Sequence, residues 1–171
     1  MKTALCIEKM IEFYNGDLRE INHFLKVFSF AQTIGKLEDL DEKTQEILEV
    51  SAIVHDIACP LCREKYGHAD GKLQEKEGMP LAISFLSSLN YEKTLIDRVS
   101  YLVGHHHSYD NVDGSDHQIL LEADFLVNAF ESNYSEEQLY HGFKKIFKTR
   151  SGKQLFLKMY PIRSLLDVDI A

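Results

Sequence analysis

The 171-residue chain has no tryptophan, three prolines, three cysteines and nine glycines. So little proline and glycine leaves a many-stranded β fold without its turn residues and moves the prior toward helix. Cys6, Cys59 and Cys62 cannot all pair, which excludes a complete disulfide framework. Met1 to Tyr14 carries charges along its length and lacks the form of a signal peptide, so the chain reads as cytoplasmic. No apolar run approaches the roughly 20 residues of a membrane span, and a soluble protein without a membrane partner is expected. Positive charge is scarce as well. With 19 Lys and Arg against 27 Asp and Glu the net charge is −8, which argues against nucleic acid as a partner, because a phosphate backbone needs a cationic face.

What the chain does have is apolar residues, 44% of the total, enough for one filled core in one domain, and eight histidines, three of them contiguous at 105–107. Helical periodicity recurs along its length. Thr3–Tyr14 is amphipathic. Asp17-Leu-Arg-Glu20 has the form of a capping box and opens a helix to about Lys36. Ile21, Phe24, Leu25, Val27, Phe28, Phe30, Ala31 and Ile34 cover well over half of that helix, so it should be buried on most sides. The next helix begins near Asp41 or Thr44, carries the most continuously apolar segment of the chain, and should stop at Pro60. Cys59 to Gly71 then reads as a site loop. Periodicity returns at Lys72–Glu77, pauses at Gly78-Met-Pro80 and continues to Leu89. Glu92–Val103, Gln118–Phe130, about Glu136–Lys148 and Lys153–Tyr160 follow. No repeat or linker divides the chain, and the expectation is an all-α, single-domain bundle of about eight helices.

The chemistry is marked by ionisable groups where the helical wheels call for apolar ones. His23 shares a face with Val27, Phe30 and Ile34; His55 and Asp56 lie between Val54 and Ile57; Asp124 lies among Leu120, Leu121 and Val127. An unpartnered buried carboxylate costs several kcal/mol at least, so two in one small core require compensation, which a divalent cation held by His and Asp supplies. Glu122, among Ile119, Phe125 and Leu126, fits the last position as well as Asp124 does on the wheel alone.

The order His23, Ala52-Ile-Val-His-Asp-Ile57, Val103-Gly-His-His106 and Leu121-Glu-Ala-Asp-Phe-Leu-Val127 resembles the HD-domain superfamily of metal-dependent phosphohydrolases over about residues 20–130. The resemblance implies one HD-type domain over 1–171, with helices of 135–160 packed on that core. It implies one divalent metal held by His23, His55, Asp56 and Asp124, and so prefers Asp124 to Glu122. Mn, Fe, Co, Ni and Zn all suit two imidazoles and two carboxylates. Family members with two metals carry a further histidine four residues before a glycine that begins an apolar run. Here Gln74 stands there, before Gly78, which weakens a second metal site.

The activity implied is hydrolysis of a phosphate monoester or anhydride of a small metabolite, with a nucleotide the leading class, by metal-activated water. Arg63, Lys65 and Lys72 are the candidate phosphate-binding cations, and His105, His106, Glu75 and Glu77 the candidate general acids. The alternatives are a non-catalytic HD-type nucleotide-sensing module, expected to have lost some ligands, and a di-iron HD-type oxygenase, which needs the ligand that Gln74 replaces. Cys59-Pro-Leu-Cys62 with His68 lacks an evident fourth ligand for structural zinc and reads as reduced thiols beside the site. Lys148-Thr-Arg-Ser-Gly-Lys153 ends in Gly-Lys but lacks the first glycine of a phosphate loop, and reads as a break between two helices.

Overall fold

A computed structural model describes residues 2–162, which form nine helices and no strand. They are α1 (Lys2–Tyr14), α2 (Leu18–Leu37), α3 (Glu42–Val54), α4 (Cys59–Tyr66), α5 (Gly71–Ser88), α6 (Lys93–Val103), α7 (Ser115–Glu131), α8 (Glu136–Ile146) and α9 (Arg150–Met159). At the centre α2, α3 and α7 pack on one another. α5 pairs with α6, and α6 closes on α3; α1 lies across α3 and α2, while α8 and α9 pack on α7. Phe24, Leu48, Ile53, Leu120, Leu126 and Phe156 are fully buried between them, each contributing about 1.5–3 kcal/mol of transfer free energy.

Local chemistry explains most boundaries. Asp17 caps α2 by accepting from Glu20 N at 3.3 Å. The return half of the capping box is not made, because Arg63 Nη1 takes the Glu20 carboxylate at 2.8 Å. Asp41 caps α3 through Lys43 N and Thr44 N at 3.0 and 3.1 Å.

Three sequence expectations need correction. Pro60 does not stop α3, which already ends at Val54; it sits in the first turn of α4, where a missing N–H costs nothing. Most of the expected loop from Cys59 to Gly71 is therefore helix, ended by Gly67, whose φ of +79° gives the left-handed cap. This short helix is the element that the count of eight omitted. Nor does the chain pause at Gly78-Met-Pro80: α5 runs through it, with Pro80 on the exposed side and Gly78 pressed so close to Val103 that a Cβ would lie 2.8 Å from its Cγ1.

The wholly buried Glu122 has a structural task. Its Oε1 accepts from Lys148 N at 2.7 Å, Thr149 N at 2.9 Å and Gln118 Nε2 at 2.7 Å, and its Oε2 from the Thr149 hydroxyl. One carboxylate thus supplies the acceptors for the α8–α9 corner, where the sequence places a helix break.

Candidate metal centre

Two tight turns prepare the site. After α3, Ile57 N bonds Val54 O at 3.0 Å and Cys59 N bonds Asp56 O at 2.9 Å. This three-residue spacing winds the chain more tightly than an α-helix and lets the adjacent His55 and Asp56 reach one point. After α6, His105 N bonds Leu102 O at 3.1 Å and Ser108 N bonds His105 O at 2.9 Å, presenting His106 to the same place. α2 adds His23 and α7 adds Asp124.

His23 Nε2 lies 3.2 Å from His55 Nε2, 3.5 Å from Asp56 Oδ2 and 3.2 Å from Asp124 Oδ1. His55 Nε2 lies 3.5 Å from Asp56 Oδ2 and 3.4 Å from Asp124 Oδ1. His23, His55 and Asp124 thus form one compact donor group, which Asp56 flanks at 3.5 Å from both imidazoles. Metal bonds of about 2.0–2.2 Å with angles between square and tetrahedral span donor edges of about 2.8–3.6 Å, a range that holds all five of these separations.

Proton accounting supports the same fit. The His55 Nδ1 faces the Ala52 carbonyl at 2.9 Å, which can only accept, so Nδ1 carries the proton. His23 Nδ1 faces Glu131 Oε2 at 2.8 Å and donates likewise. In the neutral rings both Nε2 atoms then present lone pairs to each other and to two carboxylates, an arrangement that protons or a metal cation must hold together. Although burial pushes His23 down, the carboxylates of Asp124, Asp56 and Glu131 raise it to about 10. Asp56 and Asp124 resist burial in turn and are held below the usual carboxylate range by the histidines.

His106 stands on the other side of Asp56, its Nε2 3.3 Å from Oδ1. Its Nδ1 donates to Val103 O at 2.7 Å, while Nε2 is buried without a hydrogen-bond partner. His107 forms a further possible donor group with Asp56 and His106. Burial and the neighbouring His106 lower His107 to about 4, and its Nε2 lies 3.0 Å from Gln74 Oε1. Gln74 donates its amide to Ala69 O at 2.8 Å, so its oxygen is the atom turned to His107.

The other expected residues are placed differently. His105 donates from Nδ1 to Tyr101 O at 2.7 Å, stacks on the Tyr101 ring and lies outside the cluster. Glu75 accepts from His107 N and the Ser108 hydroxyl, both at 3.0 Å, and so braces the turn that carries His106. Glu77 accepts from Lys65 at 3.0 Å and from the Tyr66 hydroxyl at 2.6 Å. Lys65 is thereby neutralised, and the exposed Lys72 does not line the cavity at the centre. Arg63 does line it, while paired with Glu20 and, at 3.3 Å, with Asp17. That cavity is about 150 Å³ and is bordered by His23, Asp56, Cys59, Arg19 and Gln74 among others. Cys59 and Cys62 are buried free thiols in one turn of α4, both pushed up by burial, whereas His68 is exposed beside Asp70.

Sequence reasoning missed three contributors. Glu131 orients His23 and is itself held by Lys26 Nζ at 2.5 Å; Asn128 donates to Asp124 Oδ1 at 2.9 Å; Arg19 lines the cavity. The signal was present: Asn128 and Glu131 follow Asp124 at i+4 and i+7, and Arg19 precedes His23 by four, each on its ligand's own face.

Among the described residues no helix is long and apolar enough to cross a membrane. Among curated proteins, none matches this sequence. Among solved structures, the chain is similar to a crystal structure described as a predicted HD superfamily hydrolase from an uncultured Thermotogales bacterium, with a TM-score of 0.68 and 20% identity, covering 94% of this chain and 86% of that one. The family model of the HD domain matches residues 21–139, from α2 through the start of α8, and the chain belongs to the HD domain family.

Proposed function

We propose that the chain is a metal-dependent phosphohydrolase acting on a phosphate monoester or anhydride of a small metabolite, with nucleotides the leading class. The observation that carries this reading is the compact group of His23, His55 and Asp124, flanked by Asp56, with five donor separations of 3.2–3.5 Å, beside a cavity that His23 and Asp56 line. A divalent transition metal bound there polarises a phosphoryl oxygen and lowers the pKa of water beside it.

The chain's own residues do the rest. Glu131 and the Ala52 carbonyl fix the two imidazoles in the tautomer that points Nε2 inward. Asn128 orients Asp124. Arg19 offers positive charge at the cavity wall for phosphoryl oxygens, beside Arg63, whose charge Glu20 and Asp17 already take up. His106 supplies the proton for the leaving oxygen: burial opposes its charge, but Asp56, whose Oδ1 lies 3.3 Å from its Nε2 and which lines the cavity, raises its pKa. His107, lowered to about 4, is neutral at pH 7 and holds the turn through Gln74 instead.

The test is a phosphate-release screen over nucleotides and sugar phosphates with metal-loaded protein, Asp56→Ala serving as control. The reading expects release that depends on added metal and is lost in Asp56→Ala; release that survives this substitution contradicts it.

A further inference from the structure

A second cleft lies between α7 and α8, where the chain that joins α6 to α7 passes over them. It consists of two adjoining recesses of about 450 and 310 Å³, which share Tyr109, Lys145 and Ile146. Neither has a lining residue in common with the cavity at the metal centre. Both exceed the roughly 300 Å³ at which pockets for whole small molecules begin.

The walls of the larger recess are aromatic. Phe125 and Tyr134 meet edge to face with ring centres 5.6 Å apart, and Tyr109, half-buried like Tyr134, joins them in the lining. Gly142 of α8 passes so close to Phe125 that a Cβ would overlap the ring, and the side chain it lacks leaves the recess open there. The junction of the two recesses is positive. Lys145 Nζ stands 5.4 Å from the centre of the Tyr109 ring, and the one carboxylate it reaches among the described residues, the exposed Asp110, is 4.0 Å away. An exposed pair at that distance leaves the lysine charge almost wholly available. Lys148, just past the end of α8, lines the smaller recess and bonds the Lys144 carbonyl at 3.3 Å rather than a carboxylate. The other acidic residue of the lining, Glu137, faces His141 at 3.9 Å.

We propose that this cleft is a second ligand site, separate from the metal centre, and that its ligand is a small aromatic carboxylate. The planar ring enters among Tyr109, Phe125 and Tyr134, and the carboxylate pairs with Lys145. Ring against ring removes apolar area from water and adds the attraction of offset or edge-to-face aromatic pairs. An anion without a ring leaves those walls in water, and a ring without an anion leaves Lys145 unpaired, so the lining favours both in one molecule. The site stands whether or not the metal centre hydrolyses phosphate, because it uses none of that centre's residues.

The experiment titrates the full chain with 2-naphthoate and with 2-naphthalenemethanol, which share a ring system and differ in charge. Because a carboxylate also ligates metals, calorimetry is run on metal-loaded and on chelator-treated protein. Naphthoate should bind both forms alike, and about three- to tenfold more tightly than the alcohol. Lys145→Gln should bring the two probes to equal affinity, and Tyr134→Ala should weaken both by about three- to tenfold through loss of a wall. Lys145 is exposed, so its replacement is safe for folding and decides the matter by itself if Tyr134→Ala is unstable. Equal affinities in the wild type, a preference that survives Lys145→Gln, affinities untouched in folded Tyr134→Ala, or binding that disappears with the metal each overturn the proposal. So does the absence of binding by either probe up to about 1 mM.

Discussion

His23 and His55 point their Nε2 atoms at each other across 3.2 Å, while each ring's Nδ1 is committed to an acceptor behind it, Glu131 and the Ala52 carbonyl respectively. Two neutral imidazoles fixed this way repel, so the contact requires a positive species between or upon them. Protons and a metal cation compete for that place.

The competition sets a pH dependence. The carboxylates around His23 raise its pKa from 6.5 to about 10, so in metal-free protein it contributes stability that is fully present below 6.5 and lost as pH rises through about 10. The melting temperature of chelator-treated protein should therefore fall between those limits, and that of metal-loaded protein should fall less. Parallel profiles in the two forms would contradict the assignment.

Glu131 holds the His23 ring and is held in turn by Lys26. Glu131→Ala is expected to weaken metal affinity about 10- to 100-fold with the fold intact, as loss of a carboxylate behind a ligating histidine does elsewhere. Competition with a chelator of known affinity measures it. Lys26→Ala should have a smaller effect, because the carboxylate remains.

Glu122 and Asp124, two residues apart, separate into different roles. Glu122→Ala strips the acceptor from Lys148 N and Thr149 N, and at about 1–3 kcal/mol for each buried donor left unpaired should destabilise the protein by about 2–6 kcal/mol. Glu122→Gln keeps an acceptor and removes a charge that burial disfavours, so its cost should be under about 1 kcal/mol. Chemical denaturation distinguishes the two, and neither variant should change metal content.

The thiols make a narrower prediction. Burial pushes Cys6 up to about 12 and Cys59 and Cys62 above their ordinary value as well. Native protein at pH 8 should therefore resist alkylation, with all three thiols reacting after unfolding. Rapid labelling of Cys59 in the native state would show a thiolate that its surroundings, Asp56 and Glu20 among them, should suppress.

Much of this was legible in the sequence, because buried charge is conspicuous in an apolar wheel. His23, His55, Asp56 and Asp124 each interrupt such a pattern, and the spacing of the interruptions resembles a known order. Glu122 produced the same signal for another reason: a corner between two distant helices needs acceptors, and periodicity does not reveal a partner 26 residues away. The turn at 55–58 and helix α4 were hidden because Pro60 reads equally as a stop and as a start. His105 and His106 were indistinguishable in a run of three, since a tight turn after α6, set by backbone bonds, decides which ring faces inward. Glu131 and Arg19 were hidden by their type, a charged residue near a helix end being ordinarily solvated.

The central claim is that the four donors hold a metal, and elemental analysis of protein purified from metal-supplemented culture tests it most directly. Wild type and Glu122→Gln should each carry about one divalent transition-metal ion or more per chain, and Asp124→Ala should carry much less. A wild-type chain that stays metal-free, or an Asp124→Ala variant that keeps the full content, would contradict the account.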